Sequence, residues 1–572
     1  MDKIKPEKAE KVQENEDAAA ALITEPAEIL NETETASPSS AAPAKNSNNN
    51  TTRHAFLVGA GILISRIIGL LRQGIFSYYF GTSDAADVFA QAFKIPNFLQ
   101  NVFGEGALSA SLIPVYAKLL AQGDEKEANR VANAILTVLA LITSLLVLLG
   151  VLLTPYLIGF IAPGFEGEKR ELTIRLVKIL FPGAGLLVMS AWCLGILNSH
   201  RKFFLSYTAP VIWNCAIIGA MLLYGKSVDQ SYLAEITAWG SVVGSALQFA
   251  VQLPTVFVLI KRIRPIFDFT SANVRTVIRN FFPVFFSRGV VQISAYVDSI
   301  IASFLGTGPS ALLQYTQSLY TLPVSLFGMS ISAAELPAMA SALGDDVEVS
   351  SQLRARLDAG LKRIAVFIVP SSMAFLALGD VLAAAVYQRG NFQHRDVLFV
   401  WGTLAGASVG LMASTLGRLY SSTFYALKDT RTPLKFAIIR VFLTTILGYS
   451  CAVYVPPMLG LEIQWGTVGL TLTAGIAGWV EFLLLRRSLN RKIGKTGLPF
   501  DFVVKLWTAA IISAGIGWAI KLFIGNSLHP ILIALLVATP YGITYFLMAS
   551  LFKVKEARAV INQFLRRIPG LK

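Results

Sequence analysis

Two arginines inside an apolar run are the residues best placed to do chemistry in this chain. The stretch from Phe56 to Leu119 includes GAGILISRIIGLLRQGIFSYYFG and then SDAADVFAQAFKIPNFLQNVFGEGALSASLIPVYAKLL. At about 100° and 1.5 Å per residue, Ser65, Arg66, Gly69, Arg72 and Gln73 fall within an arc of about 120° on one helix. The two guanidinium groups then lie about 9 Å apart along the axis. Burying such a charge in lipid is costly, so both are expected to face a wet cavity. A lone arginine near a helix end could instead snorkel to the interface. Two of them in mid-run on one polar arc favour a cation-lined cavity, and hence an anionic passenger.

The elements around that arc fit the same chemistry. Lys94, Asn97 and Glu105 follow in a second segment interrupted by Pro96, Gly104 and Gly106, and broken helices at membrane depth usually line cavities. Asp87, in SDAAD at the outer end of the first loop, is expected together with Glu105 to serve gating or helix geometry. An N-cap for the second helix is the structural alternative for Asp87.

The chain has 572 residues, of which 54% are hydrophobic and 15% charged, with a mean hydropathy of +0.59. That composition describes an all-α polytopic membrane protein and excludes a soluble enzyme. Cys193, Cys215 and Cys451 lie in apolar runs and form no disulfide framework. The four histidines are scattered, and there is no Walker A sequence, which argues against nucleotide hydrolysis. The net charge of +14 is no nucleic-acid footprint, because residues 1–50 carry a net −5 and the positive excess sits in loops between spans. The polar 1–53 segment has no apolar h-region and is read as a disordered cytoplasmic tail.

Apolar runs of spanning length fall at roughly 55–80, 88–119, 131–161, 172–198, 208–225, 232–260, 276–305, 310–342, 357–387, 397–426, 433–455, 465–486, 502–524 and 529–552. This is about fourteen spans. Alternate loops are dense in Lys and Arg, as in Arg201 and Lys202, Lys261 to Arg264, and Arg486 to Lys495. Both termini are therefore expected in the cytoplasm.

The seventh and eighth runs echo the first two in the order Ser-Arg, Gly-Thr, Pro, Phe-Gly, Pro. Six intervening spans keep both copies in one orientation, which implies two six-helix lobes, 54–262 and 263–487, related by an axis along the membrane normal. Residues 488–572 add two more spans and a basic end suited to anionic headgroups. The echo makes Arg288, on a stripe with Gln292 and Ser299, the counterpart of Arg66. Gln314, Ser318, Thr321 and Ser325 form a stripe on the eighth span; for the two stripes alone helix packing through small and polar residues is the simpler reading, and Arg288 tips the seventh toward cavity lining.

At SRIIGLLRQ, the following FGTSDAADVFAQAFKIPNFLQNVFGEGALSASLIPVYA, and FYALKDTRTPLKFA, the chain resembles the MurJ/MviN family of lipid II flippases, in the multidrug, oligosaccharidyl-lipid and polysaccharide exporter superfamily. The resemblance covers about residues 54 to 552. It implies movement of the undecaprenyl-diphosphate-linked peptidoglycan precursor from the inner to the outer leaflet of the bacterial plasma membrane by alternating access. The partners implied are lipid II, membrane lipids and the cell-wall synthesis machinery. Arg66 and Arg72 look like the family's first-span cavity arginines, Asp87 like its outer acidic residue, and Lys94, Asn97 and Glu105 like its second-span motif. The chain departs from the pattern at Gln73, where many members are acidic, and at Gln100 and Ser318, where members carry arginine. Asp298 matches a position where some members place a sodium ligand. A diphosphate suits guanidinium groups, which can bind its paired oxygens with two parallel hydrogen bonds. With no nucleotide site, the energy is expected from an ion gradient, the membrane potential or consumption of the product.

Two other classes fit the sequence less well. A membrane-embedded transferase needs an acid, base or metal cluster near one interface, and the carboxylates here are isolated. An exporter of another lipid-linked oligosaccharide or of a cationic drug shares the fold, but drug export calls for cavity carboxylates that outnumber the cations.

Overall fold

A computed structural model describes residues 47–103, 108–340, 346–427, 429–525 and 527–565, and every long element in it is a helix. In chain order these are α1 (Ser47–Phe80), α2 (Asp84–Val102), α3 (Ser109–Ala121), α4 (Glu125–Ile161), α5 (Gly167–Ser199), α6 (Phe203–Tyr224), α7 (Gln230–Ile260), α8 (Ala272–Ser303), α9 (Pro309–Pro323), α10 (Ser330–Ala340), α11 (Asp346–Tyr387), α12 (His394–Ala426), α13 (Arg431–Val453), α14 (Val455–Met458), α15 (Gly466–Ile493), α16 (Phe500–Ile524), α17 (Pro530–Leu551) and α18 (Lys555–Leu565). Eleven helices among the described residues are long and apolar enough to cross a membrane. The chain is an all-helical polytopic membrane protein. The elements over the first, second and seventh predicted spans, α1, α2 with α3, and α8, fall outside those eleven. Each carries cations within its apolar run, Arg66 and Arg72 on α1, Lys94 on α2, and Arg275, Arg279 and Arg288 on α8, which lower its hydropathy.

Two predicted spans are not single α-helices. The second is divided into α2 and α3. The eighth runs from α9 through a π-helical turn, Val324–Met329, into α10, the kind of wide turn often found at functional sites.

The helices sort into two packing groups. In the first, α5 packs on α2, α4 and α7, and α6 packs on α1 and α7; in the second, α12 and α13 pack on α15, and α11 packs on α12. Small residues permit the closest of these crossings. A Cβ on Gly475 would lie 2.8 Å from the Gly410 amide nitrogen, so the backbones of α12 and α15 meet where neither residue has a side chain. Helices α16 and α17 pack on each other and on α11. Tyr541 and Tyr545 donate to the Pro370 and Val366 carbonyls at 2.6 and 2.8 Å, and Lys521 pairs with Asp380. These contacts tie the last two spans to the second group.

The segment between the groups is pinned to α4. Asn133 donates to the Arg262 carbonyl at 3.1 Å and accepts from the Arg264 amide at 2.8 Å, while the Ile266 amide donates to Thr137 at 3.0 Å. Asp268 pairs with Arg130, and Ser271 donates to Glu127 at 2.6 Å. Extended backbone without a strand partner thus finds its hydrogen bonds on side chains of one helix.

Candidate functional site

The geometry is clearest where the two groups meet, at the end reached by the loops poor in Lys and Arg. Ser83, not Asp87, caps α2, its hydroxyl accepting from the Ala86 amide at 3.3 Å. Asp87 is fully buried and reaches across to the start of α9. Its carboxylate accepts from the Gly308 amide at 2.7 Å and the Ala311 amide at 2.8 Å. Lys169, at the start of α5, completes its shell at 2.9 Å and also pairs with Asp84 at 2.7 Å. The N-cap expected within its own helix is therefore made on a helix of the other group, where a negative charge also meets the positive end of the helix dipole.

Further bonds close the same end. Thr82 donates to Asp396 at 2.7 Å, Tyr315 to the Gly81 carbonyl at 2.7 Å, and Asn391 to the Tyr79 carbonyl at 2.7 Å. Beneath them Phe76, Phe80, Phe89, Tyr315, Tyr387 and Phe392 form a chain of ring contacts. Gly390, at φ +57°, lets the backbone approach, since a Cβ there would come within 2.4 Å of the Tyr78 carbonyl oxygen.

Deeper along α1, Arg66 is exposed. The Arg72 guanidinium lies 5.6 Å from the Phe93 ring centre and 5.2 Å from that of Trp213, and the two rings stack at 5.6 Å. Arg72 has no acidic partner among the described residues. Aromatic faces thus stand in for a carboxylate, supporting the charge while leaving its N–H groups available. Gln73 is buried, accepts from Gln314 at 3.4 Å, and keeps its own amide nitrogen unpartnered.

Helix α2 brings Lys94 onto α8. The ammonium bonds the Ser299 hydroxyl, Gln91 donates to the Ser299 carbonyl at 2.8 Å, and Tyr296 donates to the Lys94 carbonyl at 2.9 Å. Asn97 and Gln100 are half-buried on the same helix. Ser318 is half-buried and donates to the Gln314 carbonyl one turn back at 2.9 Å. Glu105 and the side chains of Arg288 and Gln292 lie outside the described residues.

Asp298 sits beside Ser299 with Oδ1 buried and unbonded. The charges acting on it are those of Lys94 and Arg440. A sodium ion needs several oxygen ligands and a net negative shell, and this donor set does not fit one. Thr444 is buried, but Thr445 and Ser450 point outward. Among the described residues no group of three acidic, His or Cys side chains could hold a metal ion.

Arg418 and Arg440 were passed over in the sequence, although each interrupts an apolar run as Arg66 does. Arg440 on α13 pairs with Glu481 on α15 at 3.1 Å. Arg418 on α12 is exposed and has no hydrogen-bond or ion-pair partner among the described residues. The rule that an intramembrane cation marks a functional site would have found both.

The profile of the family described as Lipid II flippase MurJ matches residues 76–539. A lipid II flippase MurJ of Burkholderia cenocepacia is 30% identical over 475 residues, covering 82% of this chain and 89% of that one. The chain belongs to the MurJ family of lipid II flippases. A probable lipid II flippase MurJ of Haemophilus influenzae is 28% identical over 471 residues, 80% of this chain and 90% of its own. A solved lipid II flippase MurJ in an inward closed conformation matches with a TM-score of 0.71 and 25% identity, over 88% of this chain and all of that one. An inward-facing multidrug transporter of the MATE family, at a TM-score of 0.62 and 18% identity over 74% of this chain and 95% of its own, shares the fold. As a MurJ-family member the chain is a multi-pass bacterial membrane transporter of peptidoglycan biosynthesis and not an enzyme.

Proposed function

We propose that this chain carries lipid II from the inner to the outer leaflet by alternating access of two lobes, 54–262 and 263–487, with both termini in the cytoplasm and residues 488–572 bracing the second lobe. Arg66 and Arg72 hold the diphosphate, with Lys94, Asn97, Gln100, Arg288 and Ser318 lining its path, and Asp87 and Glu105 govern opening and closing. The observation that carries this reading is Arg72, a cation within a span, seated on Phe93 and Trp213 and with no carboxylate partner among the described residues. A guanidinium so placed is ready for two parallel bonds to an oxyanion. The bonds centred on Asp87 support a state closed at the outer end, as the substrate-loading half of the cycle requires.

The test is flipping of fluorescent lipid II by the protein reconstituted in liposomes. Arg66→Ala and Arg72→Ala are each expected to abolish it at unchanged protein content, and Arg→Lys to restore little, because a point charge cannot make the bidentate contact. Normal flipping by both alanine variants would reject the diphosphate site.

A further inference from the structure

The second lobe holds a cation pair that none of the expectations above employs. Arg418 lies eight residues before the end of α12, and Arg440 nine residues into α13. At 1.5 Å per residue each is about 12 to 14 Å from the end of its helix nearest the Lys- and Arg-rich loops, so the two share a depth. Arg418 feels the Tyr320 phenol and the charges of Arg440 and Glu481. Those residues belong to α9, α13 and α15, so the exposed Arg418 side chain lies within electrostatic reach of three neighbouring helices. Tyr320 also bonds Ser414 at 2.9 Å, one turn from Arg418 on α12.

The local charges do not balance, even with Asp298, which Arg440 shares with Lys94. Glu481 is the acid that pairs with Arg440, through one Nη1–Oε2 contact at 3.1 Å, and the side chains are 36% and 17% exposed. Four of the five Arg440 donors are left outside that contact, and Arg418 has no partner of its own among the described residues. An excess positive charge at membrane depth, presented as two guanidinium groups, is a receptor for paired oxyanion oxygens and repels a cation.

We propose that Arg418 and Arg440 form an oxyanion subsite on the second lobe, near the cytoplasmic end of the spans. It engages a diphosphate or carboxylates of the passenger before the first-lobe arginines do, and Glu481 tempers its strength by holding Arg440. This rests on the flippase reading above and extends it. The position, about 12 to 14 Å inside that end, suits a lipid-linked anion drawn inward from headgroup level in the inner leaflet.

The test uses the full-length protein in nanodiscs with two probes: undecaprenyl diphosphate, which has no sugar or peptide, and the soluble disaccharide-pentapeptide, which has no diphosphate. Arg418→Gln is expected to weaken one probe about tenfold, the size of one lost charge-assisted contact, with thermal unfolding unchanged because Arg418 holds no structural partner. Weakening of the first probe assigns the subsite to the diphosphate, and of the second to peptide carboxylates. Glu481→Gln is expected to tighten the same probe by releasing Arg440, a gain that a merely structural ion pair could not produce. If Arg418→Gln changes neither probe while Arg72→Ala still abolishes flipping, the subsite is wrong and the flippase reading stands. If the unmodified protein binds neither probe, both fall.

Discussion

The Asp87 carboxylate on α2 accepts a hydrogen bond from the Ala311 amide on α9 at 2.8 Å, so one packing group caps a helix of the other. A second bond from the Gly308 amide at 2.7 Å and the Lys169 ammonium at 2.9 Å complete a buried shell. In the alternating-access reading proposed above, opening this end breaks the shell, which exposes the positive end of α9 and an orphaned acid together. In that reading the arrangement is a latch whose strength depends on charge and on cap geometry in different proportions.

Those proportions can be separated. Asp87→Asn keeps an acceptor for one amide but loses attraction to Lys169, while Asp87→Ala removes both. The predicted order of hydrogen–deuterium protection at the Gly308 and Ala311 amides is wild type, Asn, Ala, with the cap alone worth about 1 kcal/mol. Lys169→Gln should resemble Asp87→Asn. Equal protection in all four proteins would show that the outer end is held by its ring contacts and not by this shell.

The seat of Arg72 makes a second prediction. Trp213→Ala removes one of the two rings over which the guanidinium lies, and a cation–π contact is worth about 0.5 to 2 kcal/mol. Flipping in liposomes should fall several-fold without vanishing, because the charge remains and only its placement loosens. Trp213→Phe should recover most of the loss. A variant with no ring at 213 and undiminished flipping would mean that Arg72 needs no aromatic support.

Legibility in the sequence followed the distance over which each feature is decided. The helical class, the run of spans and the first-span arginines are local, since a cation in an apolar run is visible from its neighbours. Arg418 and Arg440 obey the same rule, but each lies close to a basic loop, and their charge merged with the topology signal of Lys428, Arg431 and Lys435. The partners of Asp87 were beyond reach for another reason. Its cap lies on Gly308 and Ala311, more than two hundred residues away, and nothing local separates a cap on α2 from a cap on α9. Lys169 lies by a loop poor in Lys and Arg, and nothing local shows that it binds two acids of α2, Asp84 and Asp87.

The segment between the lobes yields a prediction in pH. Hydrogen bonds from the hydroxyl and amide of Thr270, with a further amide bond from Ser271 and the charge of Arg130, hold the Asp268 carboxyl down at about 2. An unfolded aspartate titrates near about 3.9. A depressed folded value means that the stabilisation is complete above about pH 4 and is lost as pH falls through about 2. Asp268→Asn should therefore lower the unfolding temperature at pH 7, and the gap to the wild type should close between about pH 4 and 2. A gap independent of pH would assign the effect to shape and not to charge.

The last prediction concerns Asp298 and the energy source. Its buried Oδ1 has no hydrogen bond, which on its own invites a metal ion. The cations acting on it, however, are tethered: Lys94, which bonds the adjacent Ser299, and Arg440, which pairs with Glu481. A sodium ion entering there would meet two fixed positive charges and a single carboxylate among the described residues, against the several oxygen ligands that a hard cation requires. Flipping by the reconstituted protein should therefore be the same in sodium, potassium and choline buffers of equal ionic strength. Asp298→Asn should impair it equally in all three, by leaving Lys94 and Arg440 facing each other without their shared acid. A rate that rises with sodium in the wild type and becomes flat in Asp298→Asn would restore Asp298 as an ion ligand and overturn the tethered-cation account.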